Sequence, residues 1–412
     1  MVKALIIANA ANRAKVFVPV ADYLFDKGAK VTFVSLDPIL DGGASNILRI
    51  SRHPYIEFPH RTEKNLFEMS IKERFATLKQ IRKPVNEMLT SLSPDVILLG
   101  AAAYVEGVII EEARKRGMKT ALMQDGLRIR DYTSAFGTFL KWLVSKIKAI
   151  VNEWTLALYG VRYFFTPFET NRVDKILLFG DSVFKEVLHK GIRREKLAIV
   201  GNPVYDSAPP LPVERSVDVR FFFGLPPDRK IVLFGMQCFH RHKVAKIDDE
   251  IAIVKNLVDL FREIPSFDLI IKLHPENDYD MYRELFFKWN PPSTVHLIKD
   301  EFSPRELLAI SDAFMTVYST MALEALVYGI PVITLDYTPV RHRLNLEPAT
   351  FSAKSSQDLK RILSEWKDDT HILIKDKVKQ VLDSELANLG FASEKAAEVI
   401  LDLVGKNGDS PG

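Results

Sequence analysis

Cysteine is almost missing from this 412-residue chain: Cys238 stands alone. That excludes an intrachain disulfide framework and fits a reducing compartment. An excess of one charge is missing too, since 56 Lys+Arg against 53 Asp+Glu leave only +3. So small a surplus builds no large positive field for phosphates, which argues against nucleic acid as a partner. No uninterrupted apolar run reaches the roughly 18 residues that span a bilayer. The opening Ala4-Leu5-Ile6-Ile7-Ala8 is too short for a secretory h-region and no cleavage pattern follows it. It reads as a first buried strand, and a cytoplasmic protein, soluble or peripheral to a membrane, is expected.

Hydrophobic residues make up 47% and charged residues 26%, values of a globular chain. At about 150 residues per domain the length asks for two or three domains. Short apolar runs alternate with amphipathic segments, the pattern of a parallel sheet covered by helices. Strands are expected at 4–8, 30–35, 95–100, 119–123, 175–179 and 196–200, with helices at 13–27, 66–90, 104–116 and 182–190. Gly28, Gly117 and Gly191 fall where such helices should end in left-handed caps.

A proline-dense stretch, Ala208-Pro209-Pro210-Leu211-Pro212, reads as a semi-rigid joint. A second series then follows: strands near 230–235, 267–272, 294–298, 312–317 and 331–335, helices near 247–263, 279–289, 304–310 and 320–328. The last apolar pattern, 383–405, is helical and is expected to return to the first domain. The fold class is thus α/β: two doubly wound, Rossmann-like parallel-sheet domains facing across a cleft. Residues 1–205 form an N-terminal, acceptor-side domain with an amphipathic insertion at about 133–172. Residues 206–382 form a C-terminal domain, and 383–412 a returning helix and tail.

Ligands of open parallel sheets sit outside the carboxyl ends of the strands, so chemistry is sought in those loops. After 119–123 comes Gln124-Asp125-Gly126. A carboxylate beside glycine has room to act as a general base, although a turn or helix-cap aspartate uses the same residues. After 267–272 comes Lys272-Leu273-His274-Pro275-Glu276, in which proline restricts His274 to extended geometry. That imidazole could neutralise a leaving phosphate or be an ordinary structural histidine. After 312–317, Ser319 and Thr320 open a helix that carries Glu324. Two hydroxyls at a helix start can bind an anion, or one can simply cap it.

The 236–243 loop holds Gln237, Cys238, His240, Arg241 and His242. Three alternating ligand types without a distant fourth make a poor zinc pattern, and Arg241 and Lys243 read better as contacts to a diphosphate or an anionic acceptor. Asp278-Tyr279-Asp280 has divalent-metal spacing, yet sits at a helix start where capping acids are common. Asn9-Ala10-Ala11-Asn12-Arg13 stands where a dinucleotide site would need a glycine-rich loop. This argues against nicotinamide and flavin, and small polar residues there would still admit a sugar.

The order Gln-Asp-Gly, Gly-Asn-Pro-Val-Tyr-Asp (201–206), Lys-Leu-His-Pro, then Tyr-Ser-Thr, Glu-Ala-Leu and Gly-Ile-Pro-Val-Ile resembles the GT-B glycosyltransferase superfamily. It is similar to bacterial sialyltransferases and capsule-polysaccharide transferases, which carry acidic-Gly, His-Pro and Ser/Thr motifs. The likeness runs from about residue 95 to 336, and Gln124 departs from it where that family often has a second acid. The resemblance implies transfer of a sugar from a CMP-, UDP- or GDP-linked donor to a glycan or lipid-linked acceptor in surface polysaccharide or glycoconjugate synthesis. It implies inversion, with no cofactor and no metal. Asp125 would be the catalytic base and His274 would assist the departing phosphate. Ser319, Thr320, Glu324, Lys272, Pro275, Glu276, Gln237 and Arg241 would bind the donor, and Asn9, Asn12, Arg13, Gln124 and Gly126 would face the acceptor. The alternatives are a nucleotide-sugar epimerase like the UDP-N-acetylglucosamine 2-epimerases, whose N-terminal Gly-Thr-Arg-Pro-Glu signature is absent here, and a non-catalytic nucleotide-sugar-binding scaffold.

Between Asp125 and 175–179, Phe139, Trp142, Leu143, Ile147, Ile150, Val151, Trp154 and Leu158 recur at three- and four-residue steps, with Lys141, Lys146 and Lys148 off the stripe. Such a helix over 138–165 fits a membrane interface; packing on the domain's own core or on another subunit is the alternative.

Overall fold

The structure is a computed structural model that describes residues 1–102, 104–124, 130–131, 172–189, 191–206, 213–241, 244–340, 342–343, 346–367 and 374–405. Its contacts divide the chain into two units. One holds Met1–Gly126, Ala135–Ala208 and Asp383–Gly412; the other holds Leu127–Ser134 and Pro209–Leu382. The proline-dense joint and the amphipathic stripe fall outside the described residues.

The first unit is built on a seven-stranded sheet. Its strands are β1 (Lys3–Ala8), β2 (Lys30–Ser35), β3 (Tyr55–Glu57), β4 (Val96–Leu99), β5 (Lys119–Met123), β7 (Lys175–Leu178) and β8 (Leu197–Ile199); β6 (Arg130–Asp131) belongs elsewhere. The spatial order is β3-β2-β1-β4-β5-β7-β8 and every pairing is parallel. The central strands have no polar face because helices cover both sides: Leu5, Ile6, Ile7, Ile97, Leu98 and Leu99 are all buried. Full burial of such a side chain stabilises the fold by about 1.5–3 kcal/mol.

In the second unit the strands are β9 (Lys230–Gly235), β10 (Phe267–Lys272), β11 (Val295–Ile298), β12 (Ala313–Thr316), β13 (Val332–Leu335) and β15 (Thr350–Ala353). Their order is β11-β10-β9-β12-β13-β15, again all parallel. The short β14 (His342–Arg343) pairs antiparallel with β6. Numbering each sheet by its own strands gives 3-2-1-4-5-6, with a seventh strand added in the first unit. Both sheets are doubly wound, and each reverses direction between its first and fourth strands, the place where such sheets bind ligands.

Two expected helices are each divided. The 66–90 segment is Ile71–Gln80 followed by Arg82–Leu92. Pro84 has no N–H to give, and its ring collides with the carbonyl of Gln80, so one continuous helix cannot form. The 383–405 segment is the end of Lys375–Glu385 and then Ala392–Gly405. Asn388 and Gly390 between them hold φ of 52° and 87°, a left-handed stop. Gly28, Gly117 and Gly191 have φ of 84°, 70° and 86°, as expected of such stops. Strands β3 and β15 were not expected. Both are edges, exposed or half-buried except for Ala353, and their residues form no apolar run.

The last helix docks within the first unit through the Gly201–Asp206 segment. A side chain on Gly201 would collide with the Ala387 carbonyl and the Ala392 methyl, and its φ is 91°. Asn202 caps the short turn that follows by accepting from the Val204 N–H at 3.1 Å. Asp206 accepts from the backbone of Ala392 at 2.8 Å and from that of Ser393.

Candidate functional site

At the reversal point of the second sheet, three loops meet. The loop after β9 leads through Gln237, Cys238 and His240 to Arg241. The loop after β10 carries His274, Pro275 and Glu276, and the loop after β12 carries Tyr318, Ser319 and Thr320. Buried contacts join them. The Thr316 hydroxyl donates to the Gly235 carbonyl at 3.0 Å, and the Phe239 and Tyr318 rings lie 5.5 Å apart. Cys238 Sγ lies 3.7 Å from the Glu276 carbonyl. Burial, then the nearby Glu250 carboxylate, pushes the Cys238 thiol above the usual cysteine range.

His274 is half-buried, and its turn is closed at both ends. Its backbone N–H donates to Asn277 Oδ1 at 2.8 Å, and the Asn277 N–H donates to the His274 carbonyl at 2.9 Å. The Glu276 N–H donates to His274 Nδ1 at 3.3 Å. An accepting Nδ1 carries no proton, so the neutral ring holds its proton on Nε2.

The hydroxyl pair divides its work. Ser319 is buried, takes a hydrogen bond from the Met321 N–H at 3.3 Å, and so starts the Met321–Val327 helix. Thr320 is exposed and its side chain makes no capping hydrogen bond. Glu324 lies one turn further on, half-buried. Arg241 is exposed and Gln237 half-buried. Lys272 is committed internally, since its Nζ donates to the Lys299 carbonyl at 2.6 Å and burial lowers its basicity. Through that bond its ammonium ties β10 to the segment after β11. Asp278 is the expected helix cap, accepting from the Met281 N–H at 3.1 Å.

Sequence reasoning missed the acid at the centre of these loops. Glu250 is fully buried in the first turn of the Ile247–Arg262 helix. One of its oxygens takes the His240 N–H at 3.0 Å and His240 Nδ1 at 2.8 Å; the other takes Asn277 Nδ2 at 2.8 Å and the Tyr282 hydroxyl at 2.7 Å. Tyr282 is pushed far above the usual tyrosine range by burial and by that carboxylate. A signal existed: Glu250 lies on the same stripe as Ile253, Val254 and Leu257, where an acid is out of place. Cys238, His240 and Glu250 offer three atoms within 4.8 Å of one another. The carboxylate's four lone-pair positions are already taken, so a cation would have to displace those donors.

The first sheet has a smaller cluster at its reversal point between β1 and β4. Asn9 Nδ2 donates to Glu106 Oε1 at 2.6 Å. Arg13 packs so closely on Gly100 that any side chain there would strike its guanidinium. Glu106 is 2% exposed, and burial raises its carboxyl above the usual range against the pull of nearby Arg13. Glu106 also escaped sequence reasoning, although it lies on one stripe with Ile109, Ile110 and Ala113. Asn12 is exposed, its Oδ1 3.0 Å from the Arg13 N–H. Gln124 is buried and its Oε1 accepts the Phe179 N–H at 2.7 Å, a clamp between the ends of β5 and β7. Asp125 and Gly126, like His242 and Lys243, lie outside the described residues.

A cavity of about 340 Å³ lined by Leu326, Ile330, Pro331 and Ile374 lies at the opposite, amino end of β13 and contains none of these groups.

No protein-family model matches the chain, and no curated protein matches its sequence. Solved structures do resemble it along its length. A glycosyltransferase from Rickettsia africae superposes with a TM-score of 0.63 at 14% identity, covering 98% of each chain. The glycotransferase of kitacinnamycin gives 0.63 at 12% identity, over 98% of this chain and 99% of that one. The UDP-GlcNAc 2-epimerase from Neisseria meningitidis, bound to UDP-GlcNAc, gives 0.59 at 15% identity, over 98% of this chain and all of the other. The fold is of the GT-B class. Among the described residues, no helix is long and apolar enough to cross a membrane.

Proposed function

We propose that this GT-B chain is a glycosyltransferase that moves a sugar from a nucleotide donor to a carbohydrate or lipid-linked acceptor. The observation that carries the reading is the place of His274, on the loop at the carboxyl end of β10 beside the reversal point of a doubly wound sheet, with its Nδ1 taking the Glu276 N–H. That loop and the loop of Ser319 and Thr320 both pack on the loop after β9, and similar structures include a UDP-GlcNAc 2-epimerase bound to UDP-GlcNAc and a glycosyltransferase.

In the proposed step Asp125 takes the acceptor hydroxyl's proton, and the oxygen attacks the anomeric carbon as its bond to phosphate breaks. The electron pair leaves on the phosphate, which receives hydrogen bonds from His274 and the hydroxyls of Ser319 and Thr320. Attack opposite the leaving group inverts the anomeric centre, and the charge is met without a metal. The 138–165 stripe would bring the enzyme to a membrane surface where lipid-linked acceptors reside.

The second reading, a nucleotide-sugar epimerase, draws support from the full-length likeness to the Neisseria enzyme. Incubating CMP-, UDP- and GDP-sugars with and without an acceptor panel decides between them. Acceptor-dependent release of nucleotide is the expected result. Isomerised sugar nucleotide without acceptor would establish the epimerase, and donor binding with neither outcome would leave a scaffold.

A further inference from the structure

The Glu250 carboxylate spans two loops, one oxygen for each. Oε2 receives both the main-chain N–H and ring Nδ1 of His240, at 3.0 and 2.8 Å. A carboxylate filled by four donors can only accept, so Nδ1 of His240 must carry a proton. Cys238 Sγ, at 3.8 Å, is the weaker neighbour of that nitrogen. Oε1 receives Asn277 Nδ2 at 2.8 Å, which settles how the Asn277 amide faces: its nitrogen toward Glu250, its oxygen toward the His274 N–H. That orientation closes the turn in which the Glu276 N–H meets His274 Nδ1.

We propose that Glu250 is a positioning residue that sets two imidazoles in opposite tautomers, the proton on Nδ1 in His240 and on Nε2 in His274. The unprotonated ring nitrogen is then Nε2 in His240 and Nδ1 in His274, whatever ligand the loops receive.

Nitrogen-15 NMR of the histidine-labelled full chain tests this, because a bare ring nitrogen resonates far downfield of a protonated one. His240→Asn and His274→Asn identify the two rings among the nine histidines. At a pH where both are neutral, the wild type should show protonated Nδ1 in His240 and protonated Nε2 in His274. Glu250→Ala removes the acceptor at Nδ1 and should release His240 to the Nε2–H form that an unconstrained neutral imidazole prefers. A wild-type His240 protonated on Nε2 overturns the proposal even if every variant misfolds, and so does an unchanged His240 tautomer in a folded Glu250→Ala protein. Opposite tautomers in a protein that turns over no nucleotide sugar would uphold this proposal and defeat the proposed function instead.

Discussion

Asp206 caps a helix that begins 186 residues later, its carboxylate accepting from the main chain of Ala392. Loss of an N-cap side chain costs about 0.5–2 kcal/mol, and here the cap also holds the chain's return to the first unit. Asp206→Ala should therefore lower the urea midpoint, with a loss of unfolding free energy in that range and little effect on nucleotide binding. An unchanged midpoint would show that Gly201 and the helix's apolar face suffice to dock it.

Glu106 makes stability depend on pH in the direction opposite to most acids. Its folded carboxyl titrates above the unfolded value because it is buried. Such a group contributes stability that is fully present below about pH 4.3, the unfolded value, and is lost as pH rises through the folded one. Glu106→Gln should flatten that fall, leaving the variant more stable relative to wild type at neutral pH than at acid pH. Denaturant midpoints across the pH range check it, and parallel curves would show that the acid is not held protonated.

Turnover should depend on the proposed acid–base pair. Asp125→Ala and His274→Ala are each expected to lower kcat by about 10²–10⁴-fold, the usual worth of a positioned proton-transfer group. Far-ultraviolet circular dichroism should stay unchanged. Near-normal rates in either variant would remove that residue from the mechanism.

A bound donor fragment should stabilise the native protein, by about 2.7 kcal/mol when present at one hundred times its Kd. A melting series with CMP, CDP, UDP and GDP is expected to single out one base. Thr320→Ala should shrink that response, since its hydroxyl is exposed and not committed to capping the helix. No shift with any nucleotide would count against the nucleotide-sugar reading as a whole.

Binding to anionic liposomes, measured by co-sedimentation, should be lost in Trp142→Glu if the 138–165 stripe lies in the membrane interface. Equal sedimentation of both proteins would assign the stripe to protein packing.

The chain's own residues determined the strands of both sheets almost to the residue, β3 and β15 excepted. Parallel strands covered on both faces must be apolar throughout, so Ala4–Ala8 or Ile231–Phe234 announce themselves without any partner. Edge strands escape that rule: Tyr55–Glu57 is held by pairing with β2, which only the folded chain supplies. The loops bearing His274 and Ser319 were equally legible, because they follow those strands directly. What tertiary structure alone decided is what each polar group faces. Gln124 accepts the Phe179 N–H and Lys272 donates to the Lys299 carbonyl, contacts that no sequence pattern announces. Glu250 looks like one more acid in Ile247-Asp248-Asp249-Glu250, yet it is buried between His240 and Asn277. Periodicity marks which face of a helix is buried; only packing brings residues 10 and 27 positions away onto the two oxygens of one carboxylate.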